Sequence, residues 1–196
     1  MKEKTQFQKF VIKQLHLLLN DKDFKKNYKN PGYKEMINTI VRHYPEITED
    51  GKTTWTNIEM YKKCFKISKR AMKKIEESNL SSKEIWKEVH FEHIFPIALT
   101  INCLIMLENP SIIQIEKVME LSEIVILSKE EATVLDGSPS KLYMLDNELI
   151  QGKGMKSSGY PEERLEAINC KIHESTINNS LFNKNFKRGF RQENAE

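Results

Sequence analysis

Residues 89–96 read VHFEHIFP, and the fold turns on how this stretch is read. Val89 and Phe91 alternate with His90 and Glu92. Successive side chains of a strand point to opposite faces, so the run predicts a short, half-buried strand. It carries Glu92 and His93 to its own end and stops at Pro96. An acid and an imidazole among Val, Phe and Ile have left the solvated helix surface where charges cost nothing, and that placement asks for a chemical reason.

Moving outward, Pro96 opens an apolar helix, PIALTINCLIML, because proline is tolerated in a first helical turn. NPSIIQIEKVMEL predicts a second helix. SEIVILS, residues 122–128, has the β-branched run of a buried strand. It passes directly into SKEEATVLDG, where Ser128 and Glu131 form a capping box and Gly137 ends the helix. The middle third therefore reads strand, helical insertion, strand, short helix.

Upstream, TQFQKFVIKQLHLLLN repeats Phe7, Phe10, Val11, Leu15 and Leu18 at helical spacing. NPGY at 30–33 is a turn, and KEMINTIVRHY a helix ending before Pro45. His16 and His43 belong to these helices and are assigned no chemistry. Ser81 or Ser82 is the N-cap expected ahead of the central strand. Downstream, residues 137–160 form a long loop containing glycine and serine, with an extended piece at KLYML. Pro161 opens a last helix, PEERLEAINCKIHES. The fold class expected is α+β and mainly helical: a helical region over 1–80, a two-strand-and-helix core over 81–137, and a loop, helix and tail over 138–196.

With 196 residues the chain has room for one domain, with or without a helical extension. Its 30% charged and 39% hydrophobic residues are ordinary for a soluble globular protein. The longest apolar run, Ile94 to Leu107, is interrupted by Pro96, Thr100 and Asn102 and is too short to span a bilayer. MKEKTQFQKF has no signal-peptide core. A cytoplasmic location and no membrane partner are expected. Cys64, Cys103 and Cys170 are odd in number, far apart and without a CxxC pair, which excludes a zinc ribbon and a disulfide framework and leaves reduced, buried thiols.

A net charge of +3 does not itself imply a nucleic-acid partner, but its distribution bears on one. Residues 55–77, WTNIEMYKKCFKISKRAMKKIEE, predict a single amphipathic helix. Lys62, Lys63, Lys66, Lys69, Arg70, Lys73 and Lys74 fall within an arc of roughly 140°, opposite Met60, Cys64, Ile67, Ala71 and Ile75. No acid interrupts positions 61–75. Such a stripe suits a polyanion, and Lys62, Lys66, Lys69, Arg70 and Lys73 are the expected nucleic-acid contacts. A solvated lysine face explains it nearly as well. The tail interleaves Phe182, Phe186 and Phe190 with Lys184, Lys187, Arg188 and Arg191. It suits contact with phosphates and bases, or docking through its phenylalanines.

Three chemistries compete for Glu92 and His93. A zinc-protease helix needs HExxH or its reverse, and the HxEH spacing here fails it. A structural zinc site needs further Cys or His at ligand spacing, and none is near. Metal-assisted phosphodiester hydrolysis needs a base to activate water and a carboxylate for a hard divalent cation. Neighbouring residues at a strand end can divide those two tasks.

FEHIFP resembles the first-histidine element of the HNH, or ββα-metal, nucleases, written [DE]-H-hydrophobic-x-P. Some members carry long insertions before the second strand and metal-binding helix, which SEIVILSKEEATVL resembles here. The resemblance covers residues 88–137. It implies a ββα-metal core, His93 as general base, Glu92 as acidic metal ligand, Mg²⁺ or Mn²⁺ as cofactor and double-stranded DNA as substrate. A stand-alone nuclease of this kind is most simply a type II restriction endonuclease, and a homodimer would match a palindromic site. The family's second ligand is normally an Asn or His near the start of the closing helix. Here that region holds Glu130, Glu131, Ala132 and Thr133. Either Glu131 supplies a second carboxylate, with Glu130 and Asp136 next in line, or the centre is incomplete and Glu131 merely caps. The CxxC pairs of many members are absent. A nonspecific nuclease or toxin, and a noncatalytic nucleic-acid-binding protein, are the competing readings.

Overall fold

A computed structural model describes residues 4–45, 58–77 and 84–179. The expected cap at Ser81 or Ser82, the start of the basic helix at Trp55 and the tail from 180 onward lie outside the described residues. The N-terminal elements are α1 (Gln6–Asn20), α2 (Lys22–Asn27), α3 (Pro31–His43), α4 (Ile58–Cys64), β1 (Lys66–Ile67) and α5 (Lys69–Glu77). The central ones are β2 (Val89–His93), α6 (Ile97–Met106), α7 (Ile112–Met119), β3 (Ile124–Ser128) and α8 (Lys129–Asp136). A hairpin, β4 (Leu142–Leu145) and β5 (Glu148–Gln151), precedes α9 (Pro161–Ala167). The architecture is α+β and mainly helical, as the sequence pattern predicts. Among the described residues no helix is long and apolar enough to cross a membrane.

β2 and β3 pair antiparallel, Val89 opposite Ser128 and His93 opposite Ile124, and β1 joins the other edge of β3 in parallel. All five residues of β3 are buried, which a β-branched run covered on both faces requires. Ile124 and Ile126 pack with Ile67, Val89, Tyr61, Phe65, Ala71, Met72 and Ile75. Val125 and Leu127 face the other way, onto Val134 and Leu135 of α8 with Leu145 and Ile168. A capping box turns the chain from β3 into α8, since Ser128 Oγ accepts from Glu131 N while Glu131 Oε2 accepts from Ser128 N.

The insertion between β2 and β3 is a packed element. Ile101, Leu104, Ile115, Val118 and Met119 of α6 and α7 close a second core against Val11, Ile12, Leu15, Leu19, Ile37 and Val41 of α1 and α3. Each such side chain contributes about 1.5–3 kcal/mol when fully buried. Lys25 Nζ donates to the Leu107 carbonyl at 2.6 Å and Asn20 to that of Pro110 at 3.2 Å, tying the two helical groups together.

Four segments depart from the sequence reading. The basic run is not one helix: α4 ends at Cys64, Lys66 and Ile67 pair with Val125 and Ile126, and α5 starts at Lys69. The free edge of β3 recruits this piece, and Ser68 Oγ then caps α5 by accepting from Ala71 N at 3.0 Å. The last helix stops at Ala167, because Asn169 takes a left-handed φ of 47° and Ile172 bridges to Ser68. KLYML is extended as expected, but it pairs with ELIQ through a two-residue turn, Asp146 (φ 52°) and Asn147 (φ 64°). KDFKKN forms the short helix α2, capped by Asp21, and α3 begins at Pro31, inside the expected turn.

Candidate functional site

Strand alternation sends Glu92 and His93 to opposite faces of the sheet. Glu92, beside Val125, lies on the face covered by α8. It is 7% exposed. Its Oε1 accepts from Arg164 Nη2 of α9 at 2.5 Å, and His90 Nε2 lies 3.2 Å from its Oε2. Arg164 is fully buried, and its Nη1 also donates to the Ser158 carbonyl at 2.9 Å. The same Nη2 faces Asp136 Oδ1 at 3.8 Å, at the last residue of α8. That Oδ1 is buried with no hydrogen-bond partner among the described residues. Burial, and next the neighbouring Glu92 carboxylate, push the Asp136 carboxyl up from its ordinary value. His90, Glu92, Asp136 and Arg164 thus form one cluster on the α8 side.

His93 faces the other side, where its Nε2 meets the Arg42 carbonyl of α3 at 3.1 Å. A carbonyl only accepts, so Nε2 carries the proton and Nδ1 keeps a lone pair. Burial lowers this imidazole to about 4, leaving it neutral at pH 7. The protonation state is that of a base, but the ring is 7% exposed and turned from Glu92. His90 has the reverse properties, exposed and beside the carboxylate.

Glu131 does not join Glu92. It is fully buried, and Ser68 Oγ (2.5 Å), Ser128 N (2.8 Å) and Arg70 Nη1 (3.0 Å) all donate to it. Ser68 follows β1, whereas Glu92 lies on β2, so the two carboxylates flank opposite edges of β3. The expectation of a cation held by Glu92 and Glu131 is therefore corrected. Three donors, one of them a guanidinium, already fill the Glu131 carboxylate. Among the described residues no group of three or more His, Cys, Asp or Glu side chains could hold a metal ion. Glu92 and Asp136 lie together but share a cation already: Arg164 Nη2 is 2.5 Å from Glu92 Oε1 and 3.8 Å from Asp136 Oδ1, and that Oδ1 has no hydrogen-bond partner among the described residues. Mg²⁺ commonly takes one or two protein carboxylates and keeps waters.

The basic residues are largely committed to acids. Lys66 pairs with Glu123 at 2.6 Å, Lys69 with Glu174, Arg70 with Asp146 and Glu131, Lys73 with Glu77 and Lys74 with Glu130. Lys62 lies at the end of α4, on a separate element from Lys69, Arg70 and Lys73 of α5. The stripe that a single helix would present is not formed. Sequence reasoning missed Arg164 altogether and gave Asp136 only a reserve place. A charged residue on a short amphipathic helix gives no local sign that it will be buried 72 residues away against Glu92. Compared with protein-family models, curated proteins and solved structures, the chain matches none.

Proposed function

We propose that this chain is a divalent-metal-dependent endonuclease acting on double-stranded DNA. One observation carries the reading: a strand ending in Glu-His pairs antiparallel with a second strand that runs directly into a helix packed over Glu92. Glu92 and Asp136 would hold the cation, Mg²⁺ or Mn²⁺, in the place that the Arg164 guanidinium takes against both of them. When bound, it supplies Lewis-acid stabilisation of charge developing on a phosphoryl group. His93 is the base that the resemblance implies, but its ring lies on the face opposite Glu92 against the Arg42 carbonyl. Exposed His90, 3.2 Å from Glu92, is the imidazole on the cation's side and would take the proton from the attacking water. Buried Arg164 orients Glu92 through the contact of its Nη2 with Glu92 Oε1. A sequence-specific restriction enzyme, cytoplasmic and dimeric on a palindromic site, is the finer form of this proposal.

A second reading draws support from Arg164. Its guanidinium already neutralises Glu92, as a chain that only binds nucleic acid would tolerate. Incubating the purified protein with varied duplex DNA and Mg²⁺ or Mn²⁺, with EDTA controls and sequencing of the ends, decides. Defined ends support a restriction enzyme, scattered ends a nonspecific nuclease, and binding without cleavage the noncatalytic reading. His93→Ala and His90→Ala assign the base: the inactive variant that still binds DNA has lost it.

A further inference from the structure

A polar cleft of about 290 Å³ opens on the β1 side of the molecule, away from Glu92, lined by Lys69, Arg70, Glu131, Asp146, Asn169 and Lys171. Its floor is built. Arg70 is held between two carboxylates of different character. Buried Glu131 accepts from Nη1 and fixes the plane of the guanidinium. Exposed Asp146, on the β4–β5 turn, accepts from Nε at 2.8–2.9 Å and from Nη2 at 2.5 Å. The side chain of Asp146 is 58% exposed. The inner carboxylate orients the fork, and the outer one holds its Nε–Nη2 edge at the surface, where solvent and a competing anion reach it.

The rest of the cleft favours an anion. Lys69 is tied only to exposed Glu174, and Lys171 has no carboxylate partner among the described residues. Asn169 adds an amide from its left-handed turn. A phosphate presents to a guanidinium the same two-oxygen edge as a carboxylate, with more charge.

We propose that this cleft binds a phosphate group, which replaces Asp146 on the Arg70 fork and is flanked by Lys69, Lys171 and Asn169. If the nuclease reading holds, the phosphate belongs to a DNA strand lying outside the catalytic cluster. Otherwise it is a small phosphate. The site itself does not require cleavage.

The test is therefore run in EDTA, where no cleavage occurs. Binding of inorganic phosphate is measured by calorimetry, and binding of a labelled duplex by fluorescence anisotropy. Lys171→Gln is expected to weaken binding about fivefold, the worth of one exposed charge contact. Asp146→Asn is expected to strengthen it by a similar factor, because it removes the internal competitor. Asn fits a left-handed turn position, so the hairpin is kept. A merely structural Asp146 would give weaker binding or none. Phosphate binding that responds to both variants while the duplex does not would overturn the DNA source and retain the site. No binding of either probe, or affinities unchanged by both substitutions, would overturn the site.

Discussion

Glu131 has no exposed surface and yet faces a guanidinium, a serine hydroxyl and a backbone amide. Glu131→Gln keeps the size and one accepting oxygen but leaves Arg70 facing a neutral group in a buried pair. The expected loss is about 2 kcal/mol, read as a fall in urea midpoint. Cleavage per folded molecule should survive. Wild-type stability with lost cleavage would instead return Glu131 to the metal. His93 sets a second residue-scale expectation. Burial holds its folded value near 4, below the ordinary 6.5 of an unfolded histidine. Between those values the unfolded chain binds the extra proton, so stability rises with pH there. Lowering the pH through about 6.5 begins the loss, which is complete near 4 and amounts to roughly 3 kcal/mol. His93→Gln should flatten the change in urea midpoint between pH 7 and pH 5. An equally steep change in that variant would place the acid sensitivity elsewhere.

At the scale of the element, what could be read from the chain is what local chemistry decides. Alternation in VHFEH, the β-branched run in IVILS and the Ser128–Glu131 cap are all properties of a few neighbouring residues, and β2, β3 and α8 appear where they point. The break at Phe65–Ser68 is hidden because the basic residues Lys62, Lys63, Lys66, Lys69, Arg70, Lys73 and Lys74 keep a helical period through it. Nothing local makes Lys66 and Ile67 extended; the open edge of β3 does, 59 residues away in the chain. The hairpin has a local sign in two turn-forming residues, Asp146 and Asn147, between LYML and ELIQ. The Glu92–Arg164 pair has none. Ser68 concentrates the consequence of the break, since its hydroxyl both caps α5 and donates to Glu131. Ser68→Ala should cost about 1–2 kcal/mol. Combined with Glu131→Ala, which removes the acceptor itself, it should cost less than the two losses added, because both variants remove the Ser68–Glu131 hydrogen bond. Strict additivity in that cycle would mean the hydroxyl and the carboxylate act independently.

At the scale of the whole molecule, much of the charge among the described residues is distributed as pairs. Lys66 meets Glu123 and Lys73 meets Glu77, each within 4 Å, so neither offers its full charge to a polyanion. Lys171, on the rim of the cleft beside Arg70, is placed to do so. This distinguishes two ways in which a chain of net charge +3 could hold DNA. Were the basic run one continuous contact surface, every phosphate it neutralised would add about 0.9 to the slope of log affinity against log salt. Lys66→Gln with Lys73→Gln would then lower the slope by nearly two units. Because Lys66 is held half-buried against Glu123 at 2.6 Å while exposed Lys73 has only a loose pair with Glu77, the double variant is expected to lose at most about one unit of slope, the share of Lys73. Lys171→Gln should lower the slope by about one unit, as loss of a single phosphate contact does. Anisotropy titrations in EDTA from about 50 to 200 mM salt measure all three proteins under the same conditions. A drop near two units in the double variant would mean that Glu123 and Glu77 release their lysines to DNA, and that the basic run reads as one surface in the complex.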